Sequence, residues 1–126
     1  MNTVQIRGNL TKDVDLKHTQ AGKAYAKFTV AASRTIEANG EKKELTDYIP
    51  VVVWGGLAES VAAELKKGSA AVVVGRYTSR SYEAQDGTKK YITEVVAETV
   101  AKPIYAAKQN TQGGFSRFGA PEDIPF

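Results

Sequence analysis

The sequence predicts an all-β domain that contains a single helix. Apolar and polar residues alternate along most of the chain, and two strong turn signals, Asn39-Gly40 and Asp86-Gly87, separate alternating segments. Only one segment repeats its apolar residues every four positions instead. Alternation is typical of a strand with one buried face, and a repeat of four is typical of a helix.

The alternating segments define five strands, which cover residues 4–10, 24–34, about 45–54, 71–80 and 89–102. In the second of these along the chain, Phe28 and Val30 fall on one face, whereas Tyr25 and Lys27 fall on the other. The last two strands form a long hairpin around Asp86-Gly87. Each strand therefore offers one face to a core and one face to solvent.

The helical segment lies between the third and fourth strands. Residues 57–65 carry Leu or Val at every fourth position, and we expect Lys66 and Lys67 to end the helix, with Gly68 as a left-handed C-cap. Three strands, one helix and two strands follow one another in an OB-fold, a five-stranded Greek-key barrel with one helix between strands 3 and 4. Other small β-barrels fit the same pattern.

The composition of the chain and its apolar pattern change near residue 107. We expect residues 1–107 to form the barrel domain, and residues 108–126 to form a disordered tail with a flexible, polar linker. The tail ends in an acidic and apolar tip, which consists of Glu122, Asp123, Ile124, Pro125 and Phe126. Apolar side chains at this place suggest a segment that docks into the pocket of another protein.

The composition argues against several classes of protein. The chain has no Cys, its one His (His18) lies in a polar segment, and no GxxxxGK[ST] or GxGxxG motif occurs. We therefore expect no enzymatic activity, no metal and no cofactor. No apolar run is long enough to cross a membrane and no export signal is visible, so we expect a cytoplasmic protein.

Aromatic and basic residues are interleaved on the predicted strands. Tyr48 and Trp54 share a face of the third strand, and Arg80 and Tyr82 share a face of the fourth, shortly after Arg76. Aromatic rings stack on the exposed bases of a single nucleic-acid strand, and Lys or Arg neutralises its phosphates. The alternative is that these aromatic residues only pack against neighbouring strands. The net charge of +3 permits a polyanionic partner without requiring one.

Short motifs along the chain resemble those of the bacterial single-stranded DNA-binding protein (SSB) family. Each motif is weak alone, but their order, their spacing and the EDIPF ending together are specific. The motifs are Gly8-Asn9-Leu10-Thr11-Lys12-Asp13, Phe28-Thr29-Val30-Ala31, Val51-Val52-Val53-Trp54, Leu57-Ala58-Glu59, Leu65-Lys66-Lys67-Gly68-Ser69, Gly75-Arg76, Arg80-Ser81-Tyr82 and Thr93-Glu94-Val95-Val96-Ala97.

The resemblance implies an OB-fold that binds single-stranded DNA without sequence preference during replication, recombination and repair. It implies a homo-oligomer, usually a tetramer, and recruitment of replication, recombination and repair proteins by the tip. It also implies a cytoplasmic, nucleoid-associated bacterial protein, and the departures from the family pattern described next suggest a gene carried by a plasmid, a phage or another mobile element. The DNA-binding residues that it indicates are Arg34, Tyr48, Trp54, Lys67, Arg76, Arg80 and Tyr82.

The chain departs from the family pattern at several positions. Gln5 and Arg7 stand in the first strand where the family is typically apolar, Ile36 stands near a family aromatic, and Pro50 interrupts the third strand. Two other functions fit an OB-fold: an adaptor that has lost DNA binding, and a barrel that binds RNA or an oligosaccharide. The aromatic and basic residues argue against the adaptor, and the EDIPF ending is unexplained by the second alternative.

Overall fold

The computed structural model describes residues 1–104, which form six strands and one helix. The predicted border at residue 107 and the tail, residues 108–126, lie outside the described residues. No helix among residues 1–104 is both long and apolar enough to span a bilayer. The elements are β1 (Val4–Leu10), β2 (Asp15–His18), β3 (Ala24–Ala38), β4 (Glu41–Trp54), α1 (Gly56–Glu64), β5 (Ala70–Glu83) and β6 (Lys89–Ala101).

Five of the strands close into a barrel. Neighbours follow the order β1-β5-β6-β4-β3, and β3 returns to β1 through the pairs Asn9–Ala31 and Leu10–Val30. All of these pairings are antiparallel except β4 with β6, which is parallel and covers only residues 51–52 against 95–96. The helix lies between the third and fourth barrel strands along the chain, which confirms the predicted OB-fold.

The short strand β2 was not predicted from the sequence. Its four residues pair with β3 outside the barrel circuit, opposite Ala24 to Lys27. All four are exposed, so the segment has no apolar alternation that could reveal a strand. Backbone pairing with the edge of β3 forms β2, and the polar segment around His18 therefore gave no sign of a strand.

The barrel interior is filled by alternate residues of the strands and by one face of α1. Phe28 and Val30 of β3 meet Val51 and Val53 of β4, and all four side chains are buried. Val61 of α1 covers the same core. Outward residues of β3 and β4 such as Tyr25, Val52 and Trp54 do not belong to this core, and the candidate site lies on this outer face.

Two glycines allow strands of the barrel to approach closely. A Cβ atom at Gly8 would overlap the carbonyl of Ala31, next to the place where β1 and β3 join. A Cβ atom at Gly75 would overlap the carbonyl of Val96, at a register shift between β5 and β6. Glycine is required at both positions because a strand backbone occupies the space of a side chain.

Both predicted turns are present, and each joins the two strands of a hairpin. Asn39 and Gly40 have positive φ angles of 55° and 78°, as a two-residue turn of type I′ requires. The flanking strands are longer than predicted: β3 extends to Ala38 and β4 begins at Glu41. The extension of β4, residues 41–44, escaped prediction because all four residues are charged and show no alternation. The extension of β3 does alternate, with Ile36 and Ala38 on the less exposed face, but the sequence interpretation ended that strand at Arg34. In the second turn, hydrogen bonds from the Thr88 hydroxyl and backbone N–H hold the pKa of Asp86 below its usual value.

The predicted C-terminus of the helix was wrong. Helix α1 ends at Glu64, Leu65 is an extended C-cap, and Lys66 and Lys67 lie beyond the last turn. Gly68 does have a positive φ of 87°, but it belongs to the following turn and its N–H donates to the Leu10 carbonyl. The helix stops early because Leu65 is drawn into the core, where it is 5% exposed.

Candidate nucleic-acid interface

An aromatic pair lies on the outer face of β3 and β4. Tyr25 is directly opposite Trp54 in the strand register, and their ring centroids are 5.2 Å apart with an angle of 33° between the ring planes. The Lys23 Nζ lies over the Trp54 ring, 5.0 Å from its centroid. Trp54 remains 41% exposed, so the indole is accessible although it already has two neighbours.

A groove runs beside this pair. We call it the Trp54 groove, and Val52 is its apolar floor, since that side chain is only 3% exposed but does not belong to the core cluster. Basic side chains come from two strands, Lys27 on β3 and Arg80 on β5. The groove is lined by Thr19, Tyr25, Lys27, Val52, Trp54, Arg80 and Glu94.

Two further concavities adjoin the Trp54 groove. The loop groove shares Lys27 and Glu94 with it, and the Tyr48 pocket shares Pro50 and Glu94 with the loop groove. Because they share these lining residues, we refer to the three concavities together as the depression. The loop groove is lined by Thr11, Lys12, Asp13, Asp15, Lys27, Phe28, Thr29, Pro50, Val51 and Glu94. The Tyr48 pocket is lined by Val4, Ile6, Tyr48, Ile49, Pro50, Tyr77, Thr93, Glu94 and Val95.

The depression exists because β4 and β6 separate from each other. Their pairing is limited to residues 51–52 and 95–96, and Pro50 lies directly before it on β4. Proline has no N–H to donate to a strand on that side. Beyond this point the two strands are no longer paired, and Ile49 and the buried Val95, at the edge of the core, line the Tyr48 pocket.

One carboxylate lies where the three concavities meet. The Glu94 side chain is 12% exposed, and its Oε1 is 3.6 Å from the Nε of Arg80. Its backbone carbonyl accepts a hydrogen bond from the Thr78 hydroxyl at 3.2 Å. A second pair on the same two strands, Arg76 with Glu98 at 3.7 Å, is exposed on both sides. The Arg80 cation is therefore held over the groove by a neighbour that is itself largely withdrawn from water.

The structure brings three of the predicted site residues to this depression. Trp54 and Arg80 line the same groove, and Tyr48 lines the adjoining pocket, where it is 67% exposed. Tyr48 and Trp54 fall on the same outer face by strand alternation, as predicted. At about 3.3 Å per residue they are about 20 Å apart, so they offer two separate places for stacking.

Two predicted residues lie on β5 outside the depression. Tyr82 is opposite Lys90 and is 45% exposed, on the same strand face as Arg80. Arg76 shares that face and is paired with Glu98. Neither residue lines the three concavities. Tyr82 would extend the surface only for a ligand that leaves the depression and follows the hairpin arm, whereas Arg76 lies in the barrel part of β5, opposite Val96.

Two other predicted residues are not brought to the groove. Lys67 lies in the turn after α1, where its backbone N–H donates to the Asp13 carboxylate at 2.8 Å. It is near the loop groove through Asp13 but does not line it. Arg34 lies opposite Leu45, falls on the other face of β3 from Tyr25, and is 3.7 Å from Asp47. The tip residues Glu122, Asp123, Ile124, Pro125 and Phe126 lie outside residues 1–104.

Tyr25, Lys23 and Lys27 are candidate site residues that the sequence interpretation did not select. The signal was present in the turn at Asn39-Gly40, because pairing residues outward from a two-residue turn places Tyr25 opposite Trp54. Lys27 follows on the same face by alternation. The cation over the indole, however, depends on the path of the loop before β3, and no sequence pattern indicated it.

Residues 1–104 contain no group of three or more His, Cys, Asp or Glu residues that could hold a metal ion. His18 is exposed on β2, 3.9 Å from the Glu59 carboxylate of α1.

Several known proteins are similar to this chain in sequence. Single-stranded DNA-binding protein 3 of Listeria innocua is 48% identical over 114 residues, which cover 90% of this chain and 69% of the relative. Single-stranded DNA-binding protein 3 of Clostridium acetobutylicum is 48% identical over 119 residues, which cover 94% and 81%. Another protein of that organism, single-stranded DNA-binding protein 2, is 42% identical over 127 residues, which cover 98% and 92%. Residues 1–102 match the family described as the single-strand binding protein family, and the chain belongs to that family.

Proposed function

We propose that the chain binds single-stranded DNA without a recognition sequence, along the depression on the outer face of the barrel. The observation that supports this most strongly is the Tyr25–Trp54 pair at the rim of a groove that also holds Lys27 and Arg80. Base stacking on aromatic side chains contributes about 1–3 kcal/mol per base, and basic side chains neutralise phosphates. The family consists of binding proteins, which confirms that the chain is not an enzyme.

The arrangement favours a single strand over a duplex. In a duplex each base face is covered by the next base pair, so an indole on a barrel wall has no free face to stack on. A single strand can turn its bases toward Trp54 and Tyr25 and leave its phosphates near the lysines. Stacking uses the face that every base has, which is why we expect no recognition sequence.

In the free protein, the Lys23 ammonium group covers part of the Trp54 indole. This group lies over the indole ring, 5.0 Å from the centroid, in a cation–π contact. A base that stacks on this face displaces the ammonium group, which then becomes available to a phosphate. The same residue therefore limits the exposure of the indole in the free state and adds a phosphate contact in the bound state.

We expect Trp54→Ala and Tyr82→Ala each to weaken binding to a single-stranded oligonucleotide by about 1–3 kcal/mol, which is about five- to 150-fold. Fluorescence anisotropy with labelled oligo(dT) measures this. Affinity should also fall as salt rises, because bound phosphates release counterions. Tyr91→Ala is the matched control, since Tyr91 is an exposed tyrosine of the same hairpin, near Lys89, on the opposite strand face. Unchanged affinity in the Trp54→Ala, Tyr82→Ala double variant would exclude this surface.

We also propose that the chain assembles through β1. This strand pairs with β5 from Val4 to Asn9, whereas among residues 1–104 its other edge pairs with β3 only at Asn9 and Leu10. An open strand edge is a template for another chain, and Val4 and Ile6 line the apolar Tyr48 pocket beside it. Two copies related by a twofold axis would pair edge to edge, and two such dimers would make a tetramer.

Sedimentation velocity over a range of micromolar concentrations measures the assembly. We expect a species larger than a monomer, with a tetramer at the upper end of the range. The exposed Gln5 and Arg7 on β1 do not prevent backbone pairing, because strand pairing uses main-chain groups. A monomer at every concentration would contradict the proposed role of β1.

The last part of the proposal concerns partner proteins. We propose that residues 122–126 recruit replication, recombination and repair proteins to DNA in the cytoplasm of a bacterium or of a cell that carries a mobile element. The proposal is supported by the likeness of Asp123-Ile124-Pro125-Phe126, after Glu122, to the family's tip. Phe126 offers a large apolar group to a pocket, and the acidic residues favour a basic rim.

Deleting Pro125 and Phe126 should abolish capture of these partners from a bacterial extract and leave the affinity for DNA unchanged or slightly higher. The reason is that the apolar ring is the anchor, whereas the acidic residues act mainly on the rate of encounter. A Phe115→Ala, Phe118→Ala variant is the control, because it removes aromatic rings outside the tip. Full capture by the truncated protein would show that the partners dock elsewhere.

A further inference from the structure

The turn between β2 and β3, residues 19–23, is organised by one side chain. The Thr19 hydroxyl accepts a hydrogen bond from the Lys23 backbone N–H at 3.1 Å. The Thr19 backbone N–H donates to the Lys23 carbonyl at 2.9 Å, and the Thr19 carbonyl accepts from the Gly22 N–H at 2.8 Å. Gly22 has a positive φ of 90°, which glycine adopts without a steric cost. The two ends of the turn are therefore tied to each other.

This turn fixes the place from which the Lys23 side chain reaches Trp54. Lys23 directly precedes β3, and its Nζ lies 5.0 Å from the centroid of the indole ring. Next to this contact the backbones are joined as well, since the Gly55 N–H donates to the Ala24 carbonyl at 2.8 Å. Thr19 itself lines the Trp54 groove. The cation and the indole are thus attached to two main-chain segments that are held together on both sides of the contact.

We propose that Thr19 is a positioning residue for DNA binding, which acts by holding the Lys23 ammonium group beside the stacking face of Trp54. The proposal rests on the proposed binding of single-stranded DNA in the Trp54 groove. Because the turn is fixed at both ends, an ammonium group that a base displaces stays next to that base and meets the adjoining phosphate. Thr19 thereby couples stacking on Trp54 to one phosphate contact.

The alternative is that Thr19 only stabilises the fold through its turn. In that case replacing its hydroxyl would lower the melting temperature but leave the ammonium group over the indole. The loss of affinity would also be the same whether or not residue 23 carries a charge, because effects of independent residues add. The position of the cation and its coupling to Thr19 are the readouts that separate the two roles.

The first experiment measures collisional quenching of Trp54 fluorescence in the free, full-length protein by iodide and by caesium. An ammonium group over the indole attracts iodide and repels caesium. We expect Lys23→Gln to lower the ratio of the iodide to the caesium quenching constant by about two- to fourfold. Thr19→Val should lower the ratio in the same direction, because the turn loses the acceptor of the Lys23 N–H. Thr19→Ser keeps the hydroxyl and should restore the ratio of the unmodified protein.

The second experiment measures binding to oligo(dT) by fluorescence anisotropy over a range of salt concentrations. Lys23→Gln should reduce the slope of log K against log salt by about 0.7, because one phosphate contact is lost. Thr19→Val should weaken binding by about two- to tenfold in the unmodified protein, but by less than about twofold when combined with Lys23→Gln. Thr88→Val is the matched control, since the Thr88 hydroxyl also organises a turn, through Asp86, but lines none of the concavities.

Thr88→Val should keep both the quenching ratio and the affinity of the unmodified protein. Thermal unfolding followed by circular dichroism checks that every variant is folded. An unchanged quenching ratio in folded Thr19→Val, or an equal loss of affinity with and without Lys23→Gln, would overturn the role of Thr19 while leaving DNA binding intact. Failure of the unmodified protein to bind oligo(dT) would instead refute the proposed function, and the coupling with it.

Discussion

The closure of the barrel between β1 and β3 is the constraint on which the site depends. It consists of two residue pairs, Asn9–Ala31 and Leu10–Val30, next to Gly8, where a side chain would overlap the Ala31 carbonyl. Leu10 also exchanges backbone hydrogen bonds with the turn after α1, donating to Ser69 and accepting from Gly68. This junction bends the sheet around the core, and the bend carries the outer residues of β3 and β4 into one curved wall.

The inner face of β3 and β4 contributes to stability, whereas the outer face is the proposed binding surface. Inward residues such as Phe28, Val51 and Val53 fill the core, whereas Tyr25 and Trp54 on the outer face contribute little to it. Val52 is the exception, since it is buried outside the core cluster and forms an apolar floor. A groove with such a floor keeps its shape without a ligand, so little ordering is required when a strand binds.

The sequence predicted the fold well because the barrel depends on alternation and on two strong turns. It did not reveal β2, whose pairing is set by the edge of β3, nor the early end of α1, which follows from the burial of Leu65. Of the predicted site residues, Trp54 and Arg80 meet in one groove because they lie on outward positions of barrel strands. Arg34 does not reach the groove, although the alternation of β3 already places it on the face opposite to Tyr25. Lys67 does not reach it either, because the path of the loop after α1 has no signal in the sequence. The position of Glu94 between the three concavities depends on how far β4 and β6 separate, and this separation is a property of the tertiary structure.

The proposed function depends most on Trp54 as a stacking platform. Trp54 is the single tryptophan of the chain, so its fluorescence measures stacking directly. The measurement is a titration of the intrinsic fluorescence of Trp54, excited at the red edge of indole absorption, with oligo(dT) and with a duplex of the same length. We predict saturable quenching by the single strand, which decreases in high salt, and little change with the duplex. Unaltered Trp54 fluorescence at oligonucleotide concentrations where anisotropy shows complete binding would contradict the account.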